Sequence, residues 1–304
     1  MCDKAIFGIF HLYGIMIAVG ILCCFLLLFF YGKKRKIDSK FIDFVFYNAI
    51  ASIAFGFFSA ALFQATYNYI ENPEAGFDLG GGITFIGGLI GGVATFLILY
   101  FIFRKKFKGK IIDILSFAPC CITIAHGFGR IGCFFAGCCY GLPTDSAFGV
   151  VFPNKPYLGA VHPTQLYEAV FLFLLCATIF LLVMKWNFKH GMSVYLIAYG
   201  IFRFFIEYLR NDDRGGFIPG ISPSQFWSIL MVVLGVGLIF LVEYLWKKRK
   251  QTEVVEVVES SLEETQDVDN VSEENVSDET QALKTADEKI ETAEEIQDTD
   301  EAEK

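Results

Sequence analysis

Residues 126–141 read His126-Gly-Phe-Gly129-Arg130-Ile-Gly-Cys133-Phe-Phe-Ala136-Gly-Cys138-Cys139-Tyr140-Gly141. An arginine, a histidine and three thiols here close a long apolar segment. Ionisable groups at membrane depth are costly and mark substrate or ion sites more often than packing. Arg130 has the planar fork that suits a phosphate or carboxylate, against the simpler alternative of an arginine snorkelling to headgroups. The thiols with His126 admit three readings. Thiolate plus imidazole suits zinc, but the spacing is irregular and adjacent cysteines rarely both reach one ion without strain. A reactive thiol is the second reading, and small packing residues are the third.

Two further stretches carry chemistry-bearing residues. Tyr199-Gly-Ile-Phe-Arg203-Phe-Phe-Ile-Glu207-Tyr-Leu-Arg210 places an arginine inside an apolar run. Arg203 and Glu207 are four apart, so an ion pair along one helix face competes with a ligand role. Arg210 lies nearer the aqueous boundary, where anchoring and substrate contact are both available. His162-Pro-Thr-Gln165-Leu-Tyr167-Glu168 opens another apolar run, and three-residue spacing sets His162, Gln165 and Glu168 on one helix face. That set is either a site or a structural hydrogen-bond network. Tyr13 suits an interfacial belt as well as a site.

The elements that must hold these residues are membrane helices. The chain has 304 residues, 54% hydrophobic, with 34 Phe. Seven runs reach the length that crosses a bilayer as helix: about Ala5–Tyr31, Phe41–Ile70, Thr84–Phe103, Ile111–Phe128, Thr164–Trp186, Met192–Leu209 and Gln225–Trp246. The first lacks the pattern of a cleavable signal and is read as a retained helix. Basic clusters follow the first, third, fifth and seventh runs (Lys33–Lys36, Arg104–Lys110, Lys185 and Lys189, Lys247–Lys250). Basic loops face the cytoplasm, so the N-terminus is expected outside and the C-terminus inside. The long segment Gly129–Pro163, the loop bearing Arg210, Asp212, Asp213 and Arg214, and the glycine-rich run Gly80–Gly92 then converge on the outer leaflet.

The net charge of −8 averages two unlike parts. Residues 251–304 hold 20 Asp/Glu against 3 Lys/Arg, net −17, while the rest holds 22 Lys/Arg against 13 Asp/Glu, net +9. The expected division is a membrane domain, 1–250, and an acidic, disordered, cytoplasmic tail, 251–304.

These motifs together resemble the prolipoprotein diacylglyceryl transferase family over nearly all of residues 1–250. The resemblance rests on Tyr13-Gly, Gly-Gly-Leu-Ile-Gly in the third run, Gly129-Arg130-Ile-Gly-x-Phe with a closing Gly141, His162-Pro-Thr-Gln165-Leu-Tyr167-Glu168, and Tyr199-Gly-x-x-Arg203-x-x-x-Glu207, with Gln225 following in order. It implies a multi-pass bacterial inner-membrane enzyme that moves the diacylglyceryl group of phosphatidylglycerol to the lipobox cysteine of a preprolipoprotein. Membrane lipids are its surroundings, nucleic acid is no partner, and no metal or other cofactor is needed. Arg130, Arg203, Tyr199 and Tyr13 match functional positions of that family. Its signature has Asn at the positions of Cys133 and Ala136 and Glu at that of Cys138, and often His at that of Ile86.

The expected site therefore has Arg130, Arg203, Tyr199 and His162 in catalytic roles, the arginines on one phosphate and His162 as a candidate for the thiol's proton. Tyr13, Gly129, Cys133, Cys138, Gly141, Gln165, Glu168, Glu207 and Arg210 line the substrate. Two alternatives stand beside it. One is a divergent relative that moves a lipid group to another acceptor; the other is a non-enzymatic lipid-binding membrane protein.

Overall fold

The structure is a computed structural model describing residues 12–153, 155–210 and 220–269. Ala5–His11, Asp212, Asp213, Arg214 and the tail beyond Asp269 lie outside the described residues. The described chain is almost entirely helical: α1 (Leu12–Lys34), α2 (Ser39–Glu71), α3 (Phe85–Phe103), the single turn α4 (Ile112–Leu115), α5 (Ala118–Ala136), α6 (Thr164–Trp186), α7 (Gly191–Ile206) and α8 (Pro223–Asp269). Between α5 and α6 a two-residue antiparallel pair, β1 (Val150–Val151) and β2 (Ala160–Val161), braces the long loop. Seven helices are long and apolar enough to cross a membrane: α1, α2, α3, α5, α6, α7 and the first part of α8. The chain is a multi-pass membrane protein with the seven expected spans.

The boundaries depart from expectation in two places. The fourth span is shifted: Pro119, at the start of a helix where proline is tolerated, begins α5, which then runs through the glycines to Ala136. Arg130 and Cys133 therefore project from a helix, not from the loop after it. At the other end of the chain α8 continues to Asp269, so Gln251–Asp269, expected without structure, is helical. The glutamates and glutamines of that stretch are good helix formers. The described residues Glu243–Asp269 divide as a unit of their own from the described residues up to Val242.

Between helices in lipid there is little hydrophobic drive, so close packing and polar contacts hold the bundle. The main core joins α1, α5, α6 and α7 through Tyr31, Phe117, Cys120, Leu172, Cys176, Ile179, Tyr195 and Tyr199. Tyr31 stacks on the fully buried Phe117 with ring centroids 4.1 Å apart. The helices α2 and α3 pair through small residues. A methyl added at Gly91 would lie 2.3 Å from Ser59 Cβ, and one at Gly87 2.6 Å from Phe63 Cβ. The Ser59 hydroxyl donates to the Gly87 carbonyl at 2.8 Å. The glycine-rich run, placed at the outer leaflet from sequence, is thus a helix–helix seam.

The basic loops after α1, α3 and α6 share one end of the bundle. Tyr31 donates to the Asp113 carbonyl at 2.8 Å, the Asp38 carboxylate accepts from the Lys108 amide at 2.9 Å, and Arg35 reaches Asn187 and the Val183 carbonyl at the end of α6. The loops after α1, α3 and α6 are thereby tied together. The C-terminal end of α5, the start of α6 and the end of α7 meet at the opposite end.

Overpacking the α2–α3 seam is expected to destabilise, since a side chain at Gly91 meets both the Cβ and the hydroxyl of Ser59. Gly91→Val should cost about 1–3 kcal/mol, read as a lowered thermal midpoint of the purified protein in detergent. Gly129→Ala, where an added methyl meets nothing within 4 Å, should leave that midpoint in place.

Candidate functional site

Glu168 is the centre. It lies one turn into α6 with no exposed surface. A carboxylate so placed requires partners, since the desolvation penalty is several kcal/mol. Three surround it. Tyr199 of α7 donates its hydroxyl at 2.7 Å. The Arg130 Nε lies 3.0 Å away and the His126 Nε2 3.5 Å away, both from α5. His126 and Arg130 are four apart on one helix face, so the extension of α5 through the glycines is what delivers both. His126 also meets the Tyr199 ring edge-on, with centroids 5.3 Å apart.

Arg130 engages Glu168 through Nε, and among the described residues its two terminal amino groups make no other ion pair or hydrogen bond. Its side chain is 18% exposed. The charge-bearing tip of the guanidinium is thus held in place and available.

A second polar group joins the end of α7 to the start of α8. Arg203 contacts the Glu207 carboxylate at 2.7 Å and donates to the Ser224 hydroxyl at 2.8 Å. Ser222 donates to Glu207 at 3.1 Å and accepts from the Gln225 amide at 3.2 Å. Arg210 stands 3.8 Å from Glu207. Gly200 makes this possible, because a methyl there would sit 2.9 Å from the Ser228 carbonyl. The i,i+4 pair weighed from the sequence does form. It sets Arg203 in this second group, on the helix that carries Tyr199 of the first.

The loop after α5 is fastened to both groups. Gly141 donates to the His162 carbonyl at 2.8 Å and Leu142 to the Leu209 carbonyl at 2.8 Å, forming a bridge between Gly141 and Arg210. Thr164 donates to the Cys139 carbonyl at 2.9 Å, and the buried Gln165 amide donates to that of Cys138. Position 141 must be glycine, as a methyl would lie 2.4 Å from the Leu209 oxygen.

Most of the expected residues thus converge. Arg130, Glu168 and Tyr199 form one group, and Arg203, Glu207 and Arg210 the next. Gln165 and Gly141 position the loop. Gly129 borders open space beside Arg130. Tyr13 packs over Gly132, its ring 3.0 Å from where a methyl would be, within electrostatic range of Arg130 and the thiols.

His162 is placed differently from the sequence expectation. α6 begins at Thr164, so His162 lies in extended chain before the helix and does not share the face of Gln165 and Glu168. Its Nδ1 is 3.4 Å from the Tyr167 hydroxyl. His126, weighed from sequence only beside the cysteines, occupies the position next to Glu168 instead. Ser222 and Ser224 were not anticipated; the only sequence signal was their place at the start of an apolar run.

The Cys133, Cys138 and Cys139 sulfurs gather within 4.8 Å of one another. Cys138 and Cys139 lie beyond the end of α5. The neighbouring Cys133 and Cys138 thiols, with the Arg210 guanidinium against it, hold the Cys139 thiol well below the usual range. For Cys138 the Cys133 contact pulls down, but the Cys139 contact and burial push up by more, leaving it raised. The proton is least firmly held on Cys139.

The family model for prolipoprotein diacylglyceryl transferase matches residues 5–241. Three curated relatives carry the name phosphatidylglycerol–prolipoprotein diacylglyceryl transferase. The protein of Clostridium tetani (strain Massachusetts / E88) is 38% identical over 232 residues, covering 74% of this chain and 90% of its own length. The second of that name from Clostridium perfringens (strain 13 / Type A) is 34% identical over 261 residues, 81% of this chain and 96% of its own. That of Marinomonas sp. (strain MWYL1) is 31% identical over 243 residues, 75% of this chain and 87% of its own. With the family match running from the first span into the seventh, the chain belongs to the prolipoprotein diacylglyceryl transferase family.

Proposed function

We propose that the protein transfers the diacylglyceryl group of phosphatidylglycerol to the thiol of a lipobox cysteine in a preprolipoprotein. The observation that carries this reading is the Arg130 guanidinium, anchored by Nε and open at its tip. A cation held in a water-poor site is worth far more to a developing anion than one in water. In the proposed reaction the incoming sulfur attacks the terminal glycerol carbon of the diacylglyceryl group. The carbon–oxygen bond to phosphate breaks, a thioether forms, and glycerol 1-phosphate leaves. Arg130 neutralises the phosphate, with Arg203 adding charge from the adjoining group. Glu168 and Tyr199 keep Arg130 from swinging.

The thiol must lose its proton to attack. His126 is the better-placed acceptor, since it adjoins the Arg130 anchor; His162 lies against Tyr167. The setting proposed is the bacterial inner membrane, N-terminus outside and C-terminus cytoplasmic, with the site toward the outer leaflet. The basic loops tied together at the other end of the bundle support that orientation. The membrane domain, 1–250, is proposed to suffice for transfer, and the segment 251–304 to be a cytoplasmic appendage.

Radiolabelled diacylglyceryl transfer from phosphatidylglycerol to a lipobox peptide tests the reading. Arg130→Ala should lower turnover by about 100-fold or more, and Arg130→Lys should rescue poorly for want of the fork. Unimpaired transfer by both variants would overturn the phosphate role. No transfer by the unaltered protein, with lipid binding intact, would favour the divergent relative.

His126→Gln is expected to reduce turnover more than His162→Gln, by about 10-fold or more. The reverse order would move the proton acceptor to His162. A chain ending at Lys250 should keep both its thermal midpoint and its transfer rate; loss of either would assign the acidic segment a part in the membrane domain.

A further inference from the structure

The proposed transfer makes no use of Cys133, Cys138 and Cys139, yet the backbone is shaped to bring them together. α5 ends with Gly137 in the left-handed region, φ 67°. The Gly137 amide donates to the Phe134 carbonyl and the Cys138 amide to the Cys133 carbonyl. That double hydrogen bond is the Schellman closure, which sets the residue after the glycine beside the one in the helix's last full turn. Here those two residues are Cys138 and Cys133. Cys139 is itself left-handed, φ 62°, rare for a residue with a side chain. In extended chain two adjacent side chains point to opposite sides; this reversal brings Cys139 to the side of its neighbours. The difficulty that adjacent cysteines pose for one ion is thereby removed.

We propose that Cys133, Cys138 and Cys139 form a three-thiolate binding site for a thiophilic divalent cation of the zinc class. Zinc–sulfur bonds of about 2.3 Å in a tetrahedron set sulfurs about 3.8 Å apart. The three sulfurs lie within 4.8 Å, a gap that small side-chain rotations close. Hard cations such as magnesium and calcium take oxygen ligands and are not served by this site.

Charge balance supports the assignment. Three thiolates around a divalent ion leave one net negative charge, and each thiol releases its proton to solvent on binding. The Arg210 guanidinium lies against Cys139, and Arg130 is within electrostatic range of Cys133 and Cys139. Three protein ligands leave the fourth tetrahedral position open, the arrangement of a cation that acts on a bound ligand. His126 is not among the residues whose ligand atoms gather there. The site is independent of the transferase reading, and its test measures metal rather than turnover.

The full-length protein, purified in detergent under reducing conditions, is titrated with cobalt(II), a spectroscopic substitute for zinc. The expected result is about one ion per chain, with sulfur-to-cobalt charge-transfer absorption and visible bands of tetrahedral intensity. Zinc should displace the cobalt. Each of C133S, C138S and C139S should lower the charge-transfer band by about a third, and the triple variant should abolish it while keeping its helical circular dichroism and thermal midpoint. A triple variant that unfolds is replaced by alkylation of the intact protein, where zinc should slow modification of these three thiols and magnesium should not. Cobalt bands that persist in the triple variant would overturn the site. So would a disulfide among the three in freshly reduced protein, or retention of copper(I) with no binding of cobalt or zinc.

Discussion

A carboxylate buried without surface inside a membrane bundle is the constraint on which the rest depends. Glu168 can exist there as an anion only if neighbouring helices supply it with donors and cations. Its partners come from α5 and α7, so satisfying one side chain fixes the register of three helices. The cost of that charge is the reason Arg130 is held still. An arginine free to snorkel would reach headgroups in many geometries, whereas one pinned through Nε presents a single face. Glu207 repeats the device at the α7–α8 junction with Arg203, Ser222 and Arg210.

Much of this was legible in the sequence, because membrane crossing imposes blunt requirements. Apolar length and the side of the basic loops gave seven spans, and Thr164–Trp186 matches α6 at both ends. Arg130 and Arg203 stood out because charges at or inside apolar runs are rare, and Glu168 through its spacing from Gln165. The misreadings have a common origin, in that polarity and glycine were taken to end helices. In lipid a backbone without helical partners costs more than a glycine does, so α5 runs on to Ala136. That displacement hid the alignment of His126 with Arg130. His162 was set on the face of Gln165 and Glu168 by three-residue spacing alone, which was carried back past the helix start at Thr164. The thiol cluster was illegible for a different reason, since it depends on two left-handed residues that spacing does not reveal.

The bundle divides its labour between its ends. At the basic end, long side chains and loop amides lash three connections together through Tyr31, Arg35 and Asp38. That end resists spreading, and among the described residues it carries none of the candidate site. At the opposite end, ties are made by backbone groups of the loop, leaving the side chains of α5 and α7 for the site. The glycine seam between α2 and α3 is a close steric fit, pinned by the Ser59 hydroxyl on the Gly87 carbonyl.

The bridge at Gly141 behaves as a mechanical linkage. It grips the strand before α6 on one side and the chain carrying Arg210 on the other, with no slack on either. A side chain there would act as a wedge, and the displacement would be felt at Leu209 and Arg210, sixty-odd residues along the chain, before it was felt locally. Substitutions at 141 therefore belong, in their consequences, with substitutions of Arg210: a position with no chemistry of its own transmits the fault to one that has it.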